Sequence, residues 1–174
     1  MGELKFVITG TAGVGKTTAI AAISDIPPIT TDEATTDELS KVKSTTTTAF
    51  DFGEIIIDEE TTVRLYGTPG QERFRHMWEI VATGALGLIV LVDNSRPDPI
   101  DDLEIYFDNF SDLIKKTGVA VGVTRLAPDQ ETELEKYYER LAAKDIYCPV
   151  MAVDPREKDD VVSLMDALMT FLEN

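Results

Sequence analysis

The sequence predicts an α/β fold: a doubly wound sheet of six strands, mostly parallel, with helices on both faces. Three observations carry this. Short apolar runs alternate with stretches whose apolar residues recur at helical spacing, the order expected of strand–helix–strand units. Residues 88–92, Leu-Ile-Val-Leu-Val, contain no polar side chain, the mark of a central parallel strand covered on both faces. A glycine-rich turn, Gly10-Thr11-Ala12-Gly13-Val14-Gly15, stands between the first strand pattern and the first helix pattern. With 174 residues, the length suits one domain over 1–174.

In order along the chain, residues 4–9 read as a buried strand, and a helix follows through Ala19, Ile20 and Ile23. Pro27-Pro28 breaks that pattern. Residues 25–48 are polar and Thr-rich, which predicts a long functional loop whose least ordered part is 28–46. Residues 50–57 and 62–66 read as two strands joined by a turn at Asp58-Glu59-Glu60, an antiparallel pair at one edge of the sheet. Residues 67–74 form a loop that leads into a helix through Trp78, Ile80 and Val81. The central strand ends at Asp93-Asn94-Ser95. The next helix carries Leu103, Ile105, Tyr106, Phe107, Phe110, Leu113 and Ile114, and a strand over 119–123 ends at Thr124-Arg125. A charged helix over 131–143 turns Leu134, Tyr137, Tyr138 and Leu141 inward. Residues 149–153 are the last strand, and 161–172 the last helix, with Leu164, Leu168, Phe171 and Leu172 on one side. Ligands of such sheets sit at the carboxyl ends of the strands, where each of these loops lies. Trp78 is expected to serve in packing. His76, the single histidine, is expected to be a satisfied or solvated side chain and not a base.

Residues 10–17, Gly-Thr-Ala-Gly-Val-Gly-Lys-Thr, match G-x-x-x-x-G-K-[ST], the phosphate-binding loop. Gly10, Gly13 and Gly15 let the backbone curl until successive N–H groups point at phosphate oxygens. Lys16 adds a charge on the outer phosphates, and the Thr17 hydroxyl suits Mg²⁺. The helix that follows presents its positive end to the same anion. Ala12, Val14 and Thr18 belong to the same expected nucleotide contact.

The bulk numbers exclude other classes. Hydrophobic content of 43% and charged content of 28% are ordinary for a globular protein. A net charge of −16 argues against nucleic acid or anionic lipid as the main ligand and suits a basic patch on a protein partner, or only solubility. The apolar run 85–92 is too short to span a bilayer, the first residues lead straight into a strand with no cleavable signal, and one cysteine, Cys148, leaves no internal disulfide. A cytoplasmic protein is expected.

On the phosphate loop, the run Gly67-Thr68-Pro69-Gly70-Gln71-Glu72-Arg73-Phe74, and the threonines before Phe50-Asp51-Phe52, the chain resembles a Ras-like small GTPase over nearly its whole length. Its T-P-G-Q run, without a leading aspartate, is most similar to the bacterial branch of MglA-type and conservon GTPases. The resemblance implies a P-loop NTPase that binds guanine nucleotide, GTP or GDP, with Mg²⁺ and hydrolyses GTP slowly as a switch. It implies that Gly10, Gly13, Gly15 and Lys16 hold the phosphates, and that Thr17 and Thr47 ligate the metal, with Thr46 as the alternative to Thr47. It further implies that Gly70 meets the γ-phosphate and Gln71 orients the attacking water. A Roadblock-type regulator or effector is the implied partner, through residues 28–53 and 67–80.

Three departures qualify the resemblance. Position 67 is Gly where the family has a metal-supporting Asp, so Asp93 or a switch residue would have to compensate. Position 12 is Ala, beside the γ-phosphate. The guanine motif reads Thr124-Arg125-Leu126-Ala127, with Ala at the base-reading aspartate and Asp129 two residues on. In the last base loop, Asp154 is the residue placed to meet the base edge. Two alternatives therefore stay open: an ATP-binding P-loop protein, ATPase or kinase, and a pseudo-GTPase interaction module.

Overall fold

Residues 2–29, 51–69 and 76–174 are described in the computed structural model, and they form the expected six-stranded sheet. The strands are β1 (Gly2–Gly10), β2 (Asp51–Ile56), β3 (Thr61–Gly67), β4 (Gly87–Asp93), β5 (Val119–Thr124) and β6 (Val150–Ala152). Their order across the sheet is β2-β3-β1-β4-β5-β6, and only the β2–β3 pair is antiparallel. The turn between those two strands closes where Asp58 Oδ1 accepts the Glu60 and Thr61 N–H groups at 2.8 and 2.7 Å. The chain leaves β1 toward β3 and returns to its other side at β4. The order reverses there, so the crevice for a ligand opens at the carboxyl end of β1.

The helices are α1 (Lys16–Ile23), α2 (Trp78–Ala82), α3 (Pro99–Asn109), α4 (Ser111–Lys116), α5 (Leu134–Ala143) and α6 (Lys158–Glu173). Strand side chains alternate between two cores, as a period of two requires. Val7, Leu88, Val90, Val92, Val121 and Val123 pack under α2, α3 and α5. Phe6, Ile8, Ile89, Leu91 and Ala120 pack under α1 and α6. This double coverage explains why residues 88–92 carry no polar residue.

Trp78 belongs to the core: it is fully buried and stacks on Tyr106 and Phe110 with ring centroids 4.8 and 5.8 Å away. Its indole N–H donates to the Pro69 carbonyl at 2.8 Å, tying the start of the loop after β3 to the core. Trp78→Phe is expected to lower the unfolding free energy by about 1–3 kcal/mol, because it shrinks a filled site and strands the Pro69 carbonyl. Urea denaturation checks this, and a variant as stable as wild type would contradict it.

The structure corrects some sequence boundaries. The helix expected through Leu103 and Ile114 is two helices, broken where Phe110 leaves helical geometry at φ −107°, ψ 19°. The segment from Pro128 to Glu133 is a 3₁₀ turn, and α5 proper starts at Leu134. Tyr138, expected inward, is 46% exposed, while Tyr137 and Leu141 are buried; Phe171, expected on one side with Leu164 and Leu168, is 39% exposed where those two are buried. The loop expected over 28–46 falls, from residue 30 on, outside the described residues.

Candidate functional site

The phosphate loop joins β1 to α1. Gly10, Gly13 and Gly15 all have positive φ, at 151°, 78° and 117°. Two of them are also sterically required. A Cβ on Gly10 would lie 2.5 Å from the Leu91 carbonyl oxygen, and one on Gly15 would lie 2.7 Å from Pro155 Cγ. The first glycine thus lets the loop hug β4; the second lets the loop after β6 close down on it. Val14 is buried, while Ala12 is exposed.

Lys16 is only 7% exposed and folds back into the loop, donating to the Gly10 and Thr11 carbonyls at 2.5 and 2.9 Å. Burial pushes its ammonium down to about 8, while the nearby Asp51 carboxylate pulls the other way. Thr17 Oγ1 donates to Asp51 Oδ2 at 2.5 Å. Across the crevice Thr9 and Thr68 share a buried hydroxyl–hydroxyl bond of 2.7 Å, and the Thr68 N–H donates to the Ile8 carbonyl. These contacts fix the start of the loop after β3 beside the phosphate loop.

Beyond Gly15 a cleft of about 580 Å³ opens between the phosphate loop and the loops after β5 and β6. Thr18, Thr124, Arg125, Asp154 and Pro155 line it. The Thr124 side chain is buried, and its hydroxyl donates to the Val92 carbonyl at 3.3 Å. Arg125, at φ 54°, bridges to Asp93 at 2.5 Å and donates to the Gly13 carbonyl at 3.0 Å. It therefore clamps the loop after β5 to the phosphate loop. Burial alone would raise the Asp93 carboxyl; bonds from the Ser95 hydroxyl and N–H and from Arg125 bring it below the usual range. Asp154 is held by Arg156 through both of its oxygens, at 3.0 and 2.8 Å, which lowers its carboxyl to about 2. Its backbone N–H donates to Asp160 Oδ2 at 2.9 Å. Asp129 is not part of the lining, and Ala127 uses its N–H on the Gln130 side chain at 3.1 Å.

The structure thus brings Gly13, Val14, Gly15, Thr18, Thr124, Arg125 and Asp154 around one cleft. Lys16 and Thr17 lie beside it in the phosphate loop. Thr46, Thr47, Gly70 and Gln71 fall outside the described residues. Asp51 and the Thr9–Thr68 pair were not legible in the sequence, because their role depends on strand register. Cys148 is a buried thiol pushed up to about 12, which removes it from any nucleophilic role at neutral pH.

Mg²⁺ takes oxygen ligands and commonly needs only one or two carboxylates beside phosphate and water. The Thr17 hydroxyl fits that chemistry as a ligand, with the Asp51 carboxylate bonded behind it. Among the described residues no group of three or more His, Cys, Asp or Glu side chains forms a metal cage of its own.

Residues 25–117 match a family described as conserved hypothetical ATP binding protein. Among curated proteins the chain is similar to an uncharacterized protein, MJ1339, of Methanocaldococcus jannaschii. That pair is 34% identical over 104 residues, 59% of each chain. It is also similar to the Ras-related protein Rab-7b of Mus musculus, 31% identical over 109 residues, 62% of this chain and 49% of that one. Intraflagellar transport protein 22 of Chlamydomonas reinhardtii is 22% identical over 109 residues, 63% of this chain and 54% of that one. The matches therefore span between 49% and 59% of the length of these relatives. None of the three carries an MglA-type name. No helix among the described residues is long and apolar enough to cross a membrane.

Proposed function

We propose that the chain, which belongs to the family of conserved hypothetical ATP binding proteins, is a small GTPase-like switch that binds and slowly hydrolyses GTP with Mg²⁺. The observation that carries the reading is the cleft itself. A phosphate loop with a buried lysine runs directly into a cavity closed by the loops after β5 and β6. A nucleotide laid there puts its phosphates on Lys16 and the N-terminus of α1, and its base against Thr124, Arg125 and Asp154. The likeness to a Ras-related protein supports a guanine base. The reading treats residues 1–174 as one such domain.

In this proposal the phosphate loop orients the triphosphate, with Lys16 turning from the Gly10 and Thr11 carbonyls toward phosphate oxygens. Thr17 and Thr47 hold Mg²⁺, which supplies charge at the phosphates. Gly70 and Gln71 place the attacking water. Residues 28–53 and 67–80 are the surfaces a regulator would read; a Roadblock-type dimer of the kind that serves MglA-type GTPases is the partner we propose.

One observation favours a second reading, an ATP-binding protein. Ala127 offers the base no carboxylate, and both oxygens of Asp154 are already taken by Arg156. A missing charged acceptor forfeits about 1.5–3 kcal/mol of hydrogen bonding to guanine. Calorimetry with GDP and ADP, each with Mg²⁺, decides between them. The expected result is tighter GDP binding with modest discrimination. Tighter ADP binding would move the protein to the adenine class, and binding of neither would leave an interaction module.

A further inference from the structure

Position 67 is the place where a Ras-like chain would carry its metal-supporting carboxylate, and here it is glycine. The strand register shows what fills the space. Gly67 ends β3 and pairs directly with Asp51, the first residue of the antiparallel β2. A Cβ on Gly67 would lie 3.2 Å from Asp51 Cβ, 3.4 Å from Asp51 Oδ2 and 3.1 Å from Ile20 Cδ1. A side chain at 67 and the present Asp51 side chain therefore compete for one volume. Asp51 uses that volume to reach the first turn of α1, where Oδ2 accepts the Thr17 hydroxyl proton at 2.5 Å.

Asp93, the other carboxylate that the sequence offered, is committed elsewhere. It accepts from the Ser95 hydroxyl and N–H and from Arg125, on the side of the cleft beneath the loop after β5. A threonine hydroxyl has one proton to give and two lone pairs. When a carboxylate takes the proton, the lone pairs are left for a cation, and the carboxylate adds negative charge beside it.

We propose that Asp51 is the positioning residue of the metal site: the carboxylate has moved from β3 to its cross-strand neighbour on β2, and it acts through Thr17. This rests on the nucleotide-and-Mg²⁺ reading above. It explains why position 67 tolerates glycine, and it requires glycine or a very small residue there as long as Asp51 stays.

The test is the release of a fluorescent diphosphate, of whichever base calorimetry selects, followed against free Mg²⁺ and again in EDTA. Wild type is expected to release slowly with Mg²⁺ and fast without it. Asp51→Asn keeps the size and loses the charge. It is expected to raise the Mg²⁺ concentration for half effect by about 10–100-fold, the usual effect of losing a group that orients a metal ligand, while the EDTA rate stays level or falls, because losing a carboxylate near Lys16 also relieves repulsion of the phosphates. The exchange variant Asp51→Gly/Gly67→Asp returns the carboxylate to β3 and is expected to recover most of the Mg²⁺ response. An Asp51→Asn curve that superimposes on wild type overturns the proposal. So does an EDTA rate raised as much as the Mg²⁺ rate, which is the signature of a merely structural role, and so does a wild-type release that ignores Mg²⁺. A wild type that holds no diphosphate under either condition overturns the nucleotide reading first, and the proposal with it.

Discussion

Lys16→Met is expected to weaken diphosphate binding by at least about 100-fold. The side chain donates two short bonds inside the loop, to the Gly10 and Thr11 carbonyls, and is almost wholly buried. Those bonds hold an ammonium in place before any phosphate arrives. A hydrogen bond from a charged group contributes about 1.5–3 kcal/mol, and a factor of ten is about 1.4 kcal/mol, so losing two phosphate contacts accounts for the expected change. Methionine keeps the length and apolar stem, so the glycine loop should still form. Stability without nucleotide is the companion measurement. A buried ammonium carries a desolvation cost that methionine lacks. That relief offsets the Gly10 and Thr11 carbonyls left without a donor, so the nucleotide-free variant should melt near the wild-type temperature, while nucleotide-induced stabilisation disappears. Calorimetry together with thermal melts separates the two effects. A variant that binds diphosphate as wild type does would remove Lys16 from the site.

That contrast shows what the sequence exposes and what it hides. The phosphate loop was legible because its constraints are local. Positive φ at Gly10, Gly13 and Gly15 and a lysine at the helix start are written in eight consecutive residues. The central strand was legible for the same reason, since burial on both faces leaves no polar residue over 88–92. Asp51 was hidden because its role comes from lying opposite Gly67 in an antiparallel register, which no periodicity within either strand reveals. The Arg156 hold on Asp154 was hidden too. Sequence placed an acidic residue at the base edge, and the fold gave that acid a partner two residues away. The break at Phe110, whose ring stacks on Trp78, was hidden because the apolar spacing continues at helical period across it.

Intrinsic GTP hydrolysis is expected to be slow, about 10⁻⁴–10⁻² s⁻¹, and a partner is expected to raise it by about 10³–10⁵, the range seen when a guanidinium is supplied to a Ras-like site. The transferring phosphoryl group needs positive charge, a metal and an aligned water. Among the described residues every arginine is occupied by a carboxylate. Arg64 pairs with Glu3, Arg96 with Asp102, Arg125 with Asp93, Arg140 with Glu104 and Arg156 with Asp154. Surface pairs of this kind exchange easily, but among these arginines only Arg125 and Arg156 line the cleft, where the proposed pose puts the base. Lys16 is then the cation that the described phosphate loop brings to the outer phosphates. Arg73 and Arg75, near Gln71, fall outside the described residues. With a net charge of −16, electrostatic steering of the proposed basic partner would make stimulation fall as salt is raised. Single-turnover hydrolysis measures this, with wild type slow alone and Gln71→Ala slower still if Gln71 aligns the water. A rate near ~1 s⁻¹ for the isolated chain would mean that it carries its own catalytic cation, and the partner-assisted switch would have to be abandoned.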